Sequence, residues 1–233
     1  MKKLMIAAVA ALVTLLPAAP AMADVENWNW IETRVPLSDG QAGAPSQLRV
    51  FADSRYGLRY PGLGWLFLRV GPIWNLHPNW FLATHYTTAI EQTAPGAMAQ
   101  EHRIEIEPNF FGRLGDFTYN DRNRLEYRYR VTGATWRYRN QLRFQYQPEG
   151  ATWAPFVWDE ALVDLSGQGF NQNRAAIGLA HLLNANTRVD AAYILRSRLG
   201  GGVWEQDHVL NLTLCFTPGV APIWGAAAGG VAE

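Results

Sequence analysis

Five histidines, His77, His85, His102, His181 and His208, are the residues of this chain best suited to proton transfer near neutral pH. A hydrolase or acyltransferase would need one of them within hydrogen-bond reach of an activated hydroxyl, with a third group orienting the ring. No serine stands two residues from any histidine, and although Thr84 adjoins His85, neighbours along a strand point to opposite faces. Asp116, Asn120 and Asp121 supply oxygen ligands of the kind calcium takes, but clustered loop acids also serve simply to solvate a turn. His-x-Glu, Cys-x-x-Cys and glycine-rich phosphate loops are missing, so zinc and nucleotides have no support. No catalytic residue, metal or cofactor is assigned, and an enzyme is not the expectation.

The remaining chemistry is electrostatic. RNRLEYRYR, Arg122 to Arg130, places Arg122, Arg124, Glu126, Arg128 and Arg130 at every second position, with Leu125, Tyr127 and Tyr129 between them. After a turn at Thr132-Gly133-Ala134 the alternation resumes. Arg137, Arg139 and Arg143 share one parity, while Trp136, Tyr138, Leu142, Phe144 and Tyr146 share the other. A period of two is that of a strand, and the short connection makes the pair a hairpin whose charged faces coincide.

Similar stretches occupy about 26–36, 46–56, 63–74, 79–91, 99–110, 153–165, 171–183, 187–198 and 203–216, which with the hairpin gives eleven. Single-chain bacterial barrels have an even number, so twelve strands are expected, with ten as the fallback; the weak pattern between Asp24 and Tyr60 is where a strand would be hidden. The fold class is thus all-β, a single antiparallel up-and-down transmembrane barrel over 24–216. Residues 217–233, rich in Gly, Ala and Pro, form a non-strand tail.

The first 23 residues read as a secretory signal peptide. Lys2 and Lys3 precede an apolar run from Leu4 to Leu16, and Ala21-Met22-Ala23 forms a cleavage site. Its removal leaves 18 basic residues, all arginine, against 20 acidic ones, a net of −2. That balance argues against nucleic acid as a partner. Cys215 is the only cysteine, so no internal disulfide can form, and it is expected to fill space in the last strand.

Arginine cannot face lipid here, because each one near the bilayer midplane costs about 2–4 kcal/mol. On one face of a strand it lies about 7 Å from the next, so carboxylates must lie close. The expected lumen lining is Arg103, Glu105 and Glu107 on one strand, Arg122, Arg124, Glu126, Arg128 and Arg130 on the next, Arg137, Arg139 and Arg143 on its hairpin partner, and Glu160 and Arg174 beyond. Trp28, Trp30, Trp65, Trp74, Trp80, Trp136, Trp153 and Trp204 fall near strand ends and are expected to form the aromatic girdle at the two membrane interfaces. His102 and His208 have outward parity.

EHRIEIE (Glu101 to Glu107), RNRLEYRYR, RNQLRF (Arg139 to Phe144), NQNRAAIGLAHLL (Asn171 to Leu183) and VLNLTLCF (Val209 to Phe216) occur in an order that resembles the proteobacterial outer-membrane family catalogued as a domain of unknown function, number twenty-four ninety. The resemblance runs from about Trp28 to Phe216 and centres on R-x-R-L-E, the arginine-rich strand after it, and N-R-x-x-x-G-L at Asn173 to Leu179. It implies a β-barrel and no established activity. One departure is that barrels of this type end on the aromatic of the last strand, whereas seventeen residues follow Phe216 here.

The expected function is a narrow passive channel in the outer membrane with an Arg/Glu-lined interior. Three alternatives stay open: a salt-bridge-plugged structural barrel without conductance, a lipid-modifying hydrolase or acyltransferase, and a soluble periplasmic β-sandwich. The expected partners are outer-membrane lipid and, during insertion, the barrel-assembly machinery; the sequence assigns no solute and no oligomeric state.

Overall fold

Eleven strands close into one barrel in the computed structural model, which describes residues 25–38, 43–57 and 62–219. They are β1 (Val25–Pro36), β2 (Gln47–Tyr56), β3 (Leu63–His77), β4 (Trp80–Ala94), β5 (Ala97–Leu114), β6 (Phe117–Arg130), β7 (Gly133–Tyr146), β8 (Trp153–Asp164), β9 (Gly169–Asn184), β10 (Thr187–Gly200) and β11 (Val203–Phe216). No helix occurs among the described residues. The expected signal peptide, residues 1–23, and the part of the expected tail beyond Gly219 lie outside them.

Each strand pairs antiparallel with its neighbour in sequence, and the sheet closes where β1 meets β11. The strand count is eleven, not twelve or ten, and the described part of 24–60 holds only β1 and β2. An odd number of up-and-down strands leaves the first and last running in the same direction. Closure therefore requires a parallel seam, from Val25 opposite His208 to Thr33 opposite Phe216. The even-number rule describes barrels closed by an antiparallel pair, and here the slanted parallel bonding pattern serves instead. A further consequence is that β1 starts at one rim and β11 ends at the other. Rim A carries the β2/β3, β4/β5, β6/β7, β8/β9 and β10/β11 connections, and rim B carries the rest.

Most connections are tight. Gly201 and Gly202 lie between β10 and β11 with φ of 59° and 85°, a two-residue turn whose positive φ at both positions matches the twist of the strands and suits glycine.

Alternation sorts the side chains. In β5, Glu101, Arg103, Glu105, Glu107, Asn109 and Phe111 are buried, while Ile104, Ile106 and Phe110 are exposed. In β11, Val209, Asn211, Thr213 and Cys215 are buried, and Leu210 and Leu212 are exposed. The buried parity faces the bore, and the other makes an outer wall that also includes Leu68, Val70, Tyr86, Leu142, Phe144, Val157, Ile177, Leu179 and Tyr193. One polar group interrupts this wall across β6 to β9. Asn140 donates to Asp121 at 2.6 Å, Tyr138 to Asn123 at 2.5 Å and Asn173 to Asp159 at 3.1 Å.

The bore is divided. On the β8–β11 and β1 side lies an apolar cluster of Trp28, Phe156, Trp158, Ile194 and Val209 with Ala154, Ala176, Ala180 and Ala192. Opposite it, the inward faces of β5, β6 and β7 carry charge. Side chains from both sides project into the interior, as in other small barrels.

The girdle expectation is corrected at three positions. Trp28 and Trp65 are buried in the bore and Trp30 packs against the Trp28 cluster, because they share parity with Glu26, Glu32 and Arg34 on β1 or with Phe67 and Arg69 on β3. Their proximity to strand ends hid a parity that points inward. Trp74, Trp80, Trp136, Trp153 and Trp204 have outward parity near the rims. Trp80 stacks on Phe110 and Trp153 on His181 toward rim B, while Trp136 contacts Tyr127 and Trp204 contacts Phe170 toward rim A.

Candidate functional site

Arginine and carboxylate share the inward parity of β5, β6 and β7, so strand pairing alone brings them within reach. Direct cross-strand partners, however, are often alike: Arg103 lies opposite Arg128, Glu105 opposite Glu126 and Arg124 opposite Arg139. Like charges directly opposite destabilise a sheet. The structure resolves this by pairing diagonally and across the bore, with each central carboxylate shared among several guanidinium groups.

Glu126 is the hub. Arg137 Nη2 lies 2.5 Å and Arg139 Nη1 3.1 Å from its oxygens, and Arg124 and Arg103 approach to 3.7 and 3.9 Å. Glu160 accepts from Arg139 at 2.6 Å, Arg122 at 2.8 Å and Arg174 at 3.2 Å. Glu101 holds Arg128 at 2.7 Å and also pairs with Arg103 and Arg130. Arg124 pairs with Glu107, and Arg143 reaches Asp190 at 3.2 Å. Thus Arg103, Glu105, Glu107, Arg122, Arg124, Glu126, Arg128, Arg130, Arg137, Arg139, Arg143, Glu160 and Arg174 all join ion pairs on the bore side, and Glu105, Glu107 and Glu126 have no accessible surface.

Several pairs skip strands. Arg49 on β2 reaches Glu107 on β5 at 2.8 Å, past β3 and β4. Between them lie the small inward residues Gly71 on β3 and Ala83 on β4, and at Gly71 the two strands approach so closely that a Cβ would lie 1.9 Å from the Thr84 carbonyl oxygen. Arg69 on β3 meets Glu105 on β5 at 2.7 Å, beside Thr87, whose hydroxyl donates to the same carboxylate at 3.0 Å.

The lattice is larger than the hairpin suggested. Arg34 and Arg49 bind Glu32, Arg55 binds Asp53, Arg188 binds Asp190, and Arg196 bridges Glu26 and Asp207. The same period of two carries these residues. The charge pattern is diluted because Trp28 and Trp30 on β1, Phe51 on β2, and Ala192, Ile194 and Val209 on β10 and β11 share their parity. Aromatic faces here also serve the cations: the Arg55 guanidinium lies 3.9 Å from the Trp28 ring centre and that of Arg143 lies 3.7 Å from Phe156. Altogether sixteen arginines and twelve carboxylates take part in ion pairs among the described residues, an excess of four positive charges.

Three cavities follow one another along the bore. One at rim B measures about 130 Å³, a central one about 140 Å³ and one at rim A about 770 Å³. The first two share Arg49, Arg122, Arg143 and Arg188 in their walls; the second and third share Arg55, Arg103, Arg139 and Arg174. Every partition between them is therefore built largely of guanidinium groups.

The histidines are dispersed. His85 is buried in the bore with Glu105 as its nearest carboxylate at 3.9 Å. Outside, His102 meets the Tyr86 hydroxyl at 2.6 Å and His208 the Tyr193 hydroxyl at 2.5 Å. His77 Nδ1 accepts from the Asn79 amide at 3.1 Å, and His181 stacks on Trp153. Asn120 and Asp121 have opposite parity, so the calcium-like trio does not converge, and no cluster of three metal-ligating residues occurs among the described ones. Cys215 is buried in the bore, where Arg188 donates to its sulfur at 3.4 Å.

With the barrel and its lattice established, the sequence can be set beside known families. A family described as "Protein of unknown function (DUF2490)" matches residues 26–204. The chain belongs to this family. The match covers β1 to the start of β11 and so includes nearly all the ion pairs described above. Neither the curated proteins nor the solved structures contain a match to the DUF2490 chain.

Proposed function

We propose that this DUF2490 protein is an outer-membrane β-barrel that acts as a narrow passive channel for small anions. The observation that carries the reading is the line of three cavities whose shared walls are built largely of arginine, in a bore where arginines outnumber their carboxylate partners. Rings or walls of fixed charge of one sign select permeating ions of the other. An outer wall rich in Leu, Ile, Val and Tyr, Trp residues near both rims, and the signal-like leader support placement in the outer membrane. Outer-membrane lipid and the assembly machinery are then its partners.

The channel is tested by planar-bilayer conductance of the purified protein. Small unitary steps that favour anions are expected, with reduced anion preference after Arg128→Ser and Arg139→Ser. Conductance that is absent, or indifferent to both replacements, removes the channel. A second reading, the ion-paired structural plug, is favoured by the complete burial of Glu105, Glu107 and Glu126, and it predicts a folded, detergent-soluble barrel without current. Faster migration of unboiled than boiled protein on SDS gels is expected under both; its absence, with recovery in the osmotic-shock fraction without detergent, removes the membrane assignment.

A further inference from the structure

We propose that the rim-A vestibule is a binding site for small polyanions bearing two or more phosphate or carboxylate groups. The cavity of about 770 Å³ is lined by nine arginines but only three carboxylates, Glu26, Glu91 and Asp207. The carboxylates that anchor Arg128, Arg130 and Arg137, Glu101 and Glu126, are 3% and 0% exposed and sit behind the guanidinium layer. A guanidinium carries five N–H donors in a planar fork, and two suffice for a bidentate carboxylate contact. Donors beyond those two remain on side chains that line the cavity, so an incoming anion meets groups already fixed in place by buried partners. Such preorganisation lowers the ordering cost of binding.

The two rims differ in what they can admit. At rim B the cavity is about 130 Å³ and includes Glu32 in its wall, room for a few waters only. At rim A, Arg130 and Arg198 stand at the mouth with side chains 41% and 32% exposed, beside their partners Glu91 and Glu205 at 44% and 47%, while Arg103, Arg139 and Arg174 form the floor shared with the central cavity. Guanidinium groups lining a confined cavity attract anions that enter it. More than one anionic group is required because the arginines are spread around the wall, and a single small anion could engage only one side.

This site deepens the channel reading and rests on it for the anion's route, yet binding itself is measured without conductance. Inorganic pyrophosphate is titrated into the full-length protein in detergent micelles by calorimetry and by fluorescence of the bore tryptophans. Saturable binding is expected, at least tenfold tighter than for chloride, weakening as salt rises. The variant pair Arg130→Gln and Arg198→Gln changes residues with water-accessible side chains, and retention of heat-modifiable gel migration shows that it still folds; it should lose at least tenfold in affinity. Should Arg130 prove structurally indispensable, Arg198→Gln alone should still lose about threefold. Pyrophosphate binding no tighter than chloride, or unaltered in these folded variants, overturns the site. Vesicles containing lipid A, added in competition, distinguish the sources: displacement marks a lipid phosphate as the occupant, and persistence marks a soluble anion. Binding without bilayer current removes the channel and keeps the site, whereas current insensitive to pyrophosphate does the reverse.

Discussion

The two sides of the bore solve one packing problem with opposite materials. Around Trp28, Phe156 and Ile194 the interior is an ordinary apolar core, interdigitated with four alanines. Around Glu105, Glu107 and Glu126 it is an ionic lattice with no accessible carboxylate surface. Apolar cores stabilise through burial and depend on volume; a buried ion lattice roughly balances desolvation against attraction and depends on completeness. The apolar side should therefore tolerate a change of shape better than a change of volume, whereas the ionic side should tolerate neither a missing charge nor a missing hydrogen bond.

The largest effect is expected from Glu126→Gln, which keeps the shape but leaves Arg103, Arg124, Arg137 and Arg139 without their shared charge. Removing one partner of a buried pair costs about 3–5 kcal/mol, measurable by urea unfolding in detergent. A loss under about 1 kcal/mol, no more than a typical neutral hydrogen bond contributes, would erase the contrast between the two sides. On the apolar side, a Cβ on Gly178 would lie 2.3 Å from the Phe156 ring and 2.7 Å from the Ala191 carbonyl oxygen. Gly178→Ala should therefore cost about 1–3 kcal/mol through overpacking. Ile194→Leu conserves volume and should cost less than about 1.5 kcal/mol by the same unfolding assay, half or less of the Glu126 effect. Smallest is Glu205→Gln at rim A, whose pair with Arg198 lies at 3.2 Å with side chains 47% and 32% exposed. It should change stability by less than about 1 kcal/mol, and that change should vanish at 1 M salt.

Much of the architecture was legible in the chain. The alternation in RNRLEYRYR gave a strand, its polar parity and the hairpin with the following arginine-rich stretch, because a strand must turn successive side chains to opposite faces. His102 and His208 were placed outward on the same argument. Trp28, Trp30 and Trp65 depart from the girdle expectation because tryptophan suits both an interface and an interior, and nearness to a strand end does not decide between them. Eleven alternating stretches stand in the sequence, and the rule for barrels of even number raises the expectation to twelve; the parallel seam between β1 and β11 makes that step unnecessary. Arg34, Arg49 and Arg69 lie on inward faces that also carry aromatic residues, and on β10 Ala192 and Ile194 separate Arg196 from Arg188 and Asp190, so the charge period is diluted on all four strands.

By itself, the sequence determined which side chains share a face, since that depends only on parity within each strand. Closure decided which charges meet: Arg49 with Glu107 and Arg143 with Asp190 are brought together across intervening strands. No local pattern encodes those pairs, because the distance between side chains across a bore is set by the curvature and stagger of the whole sheet.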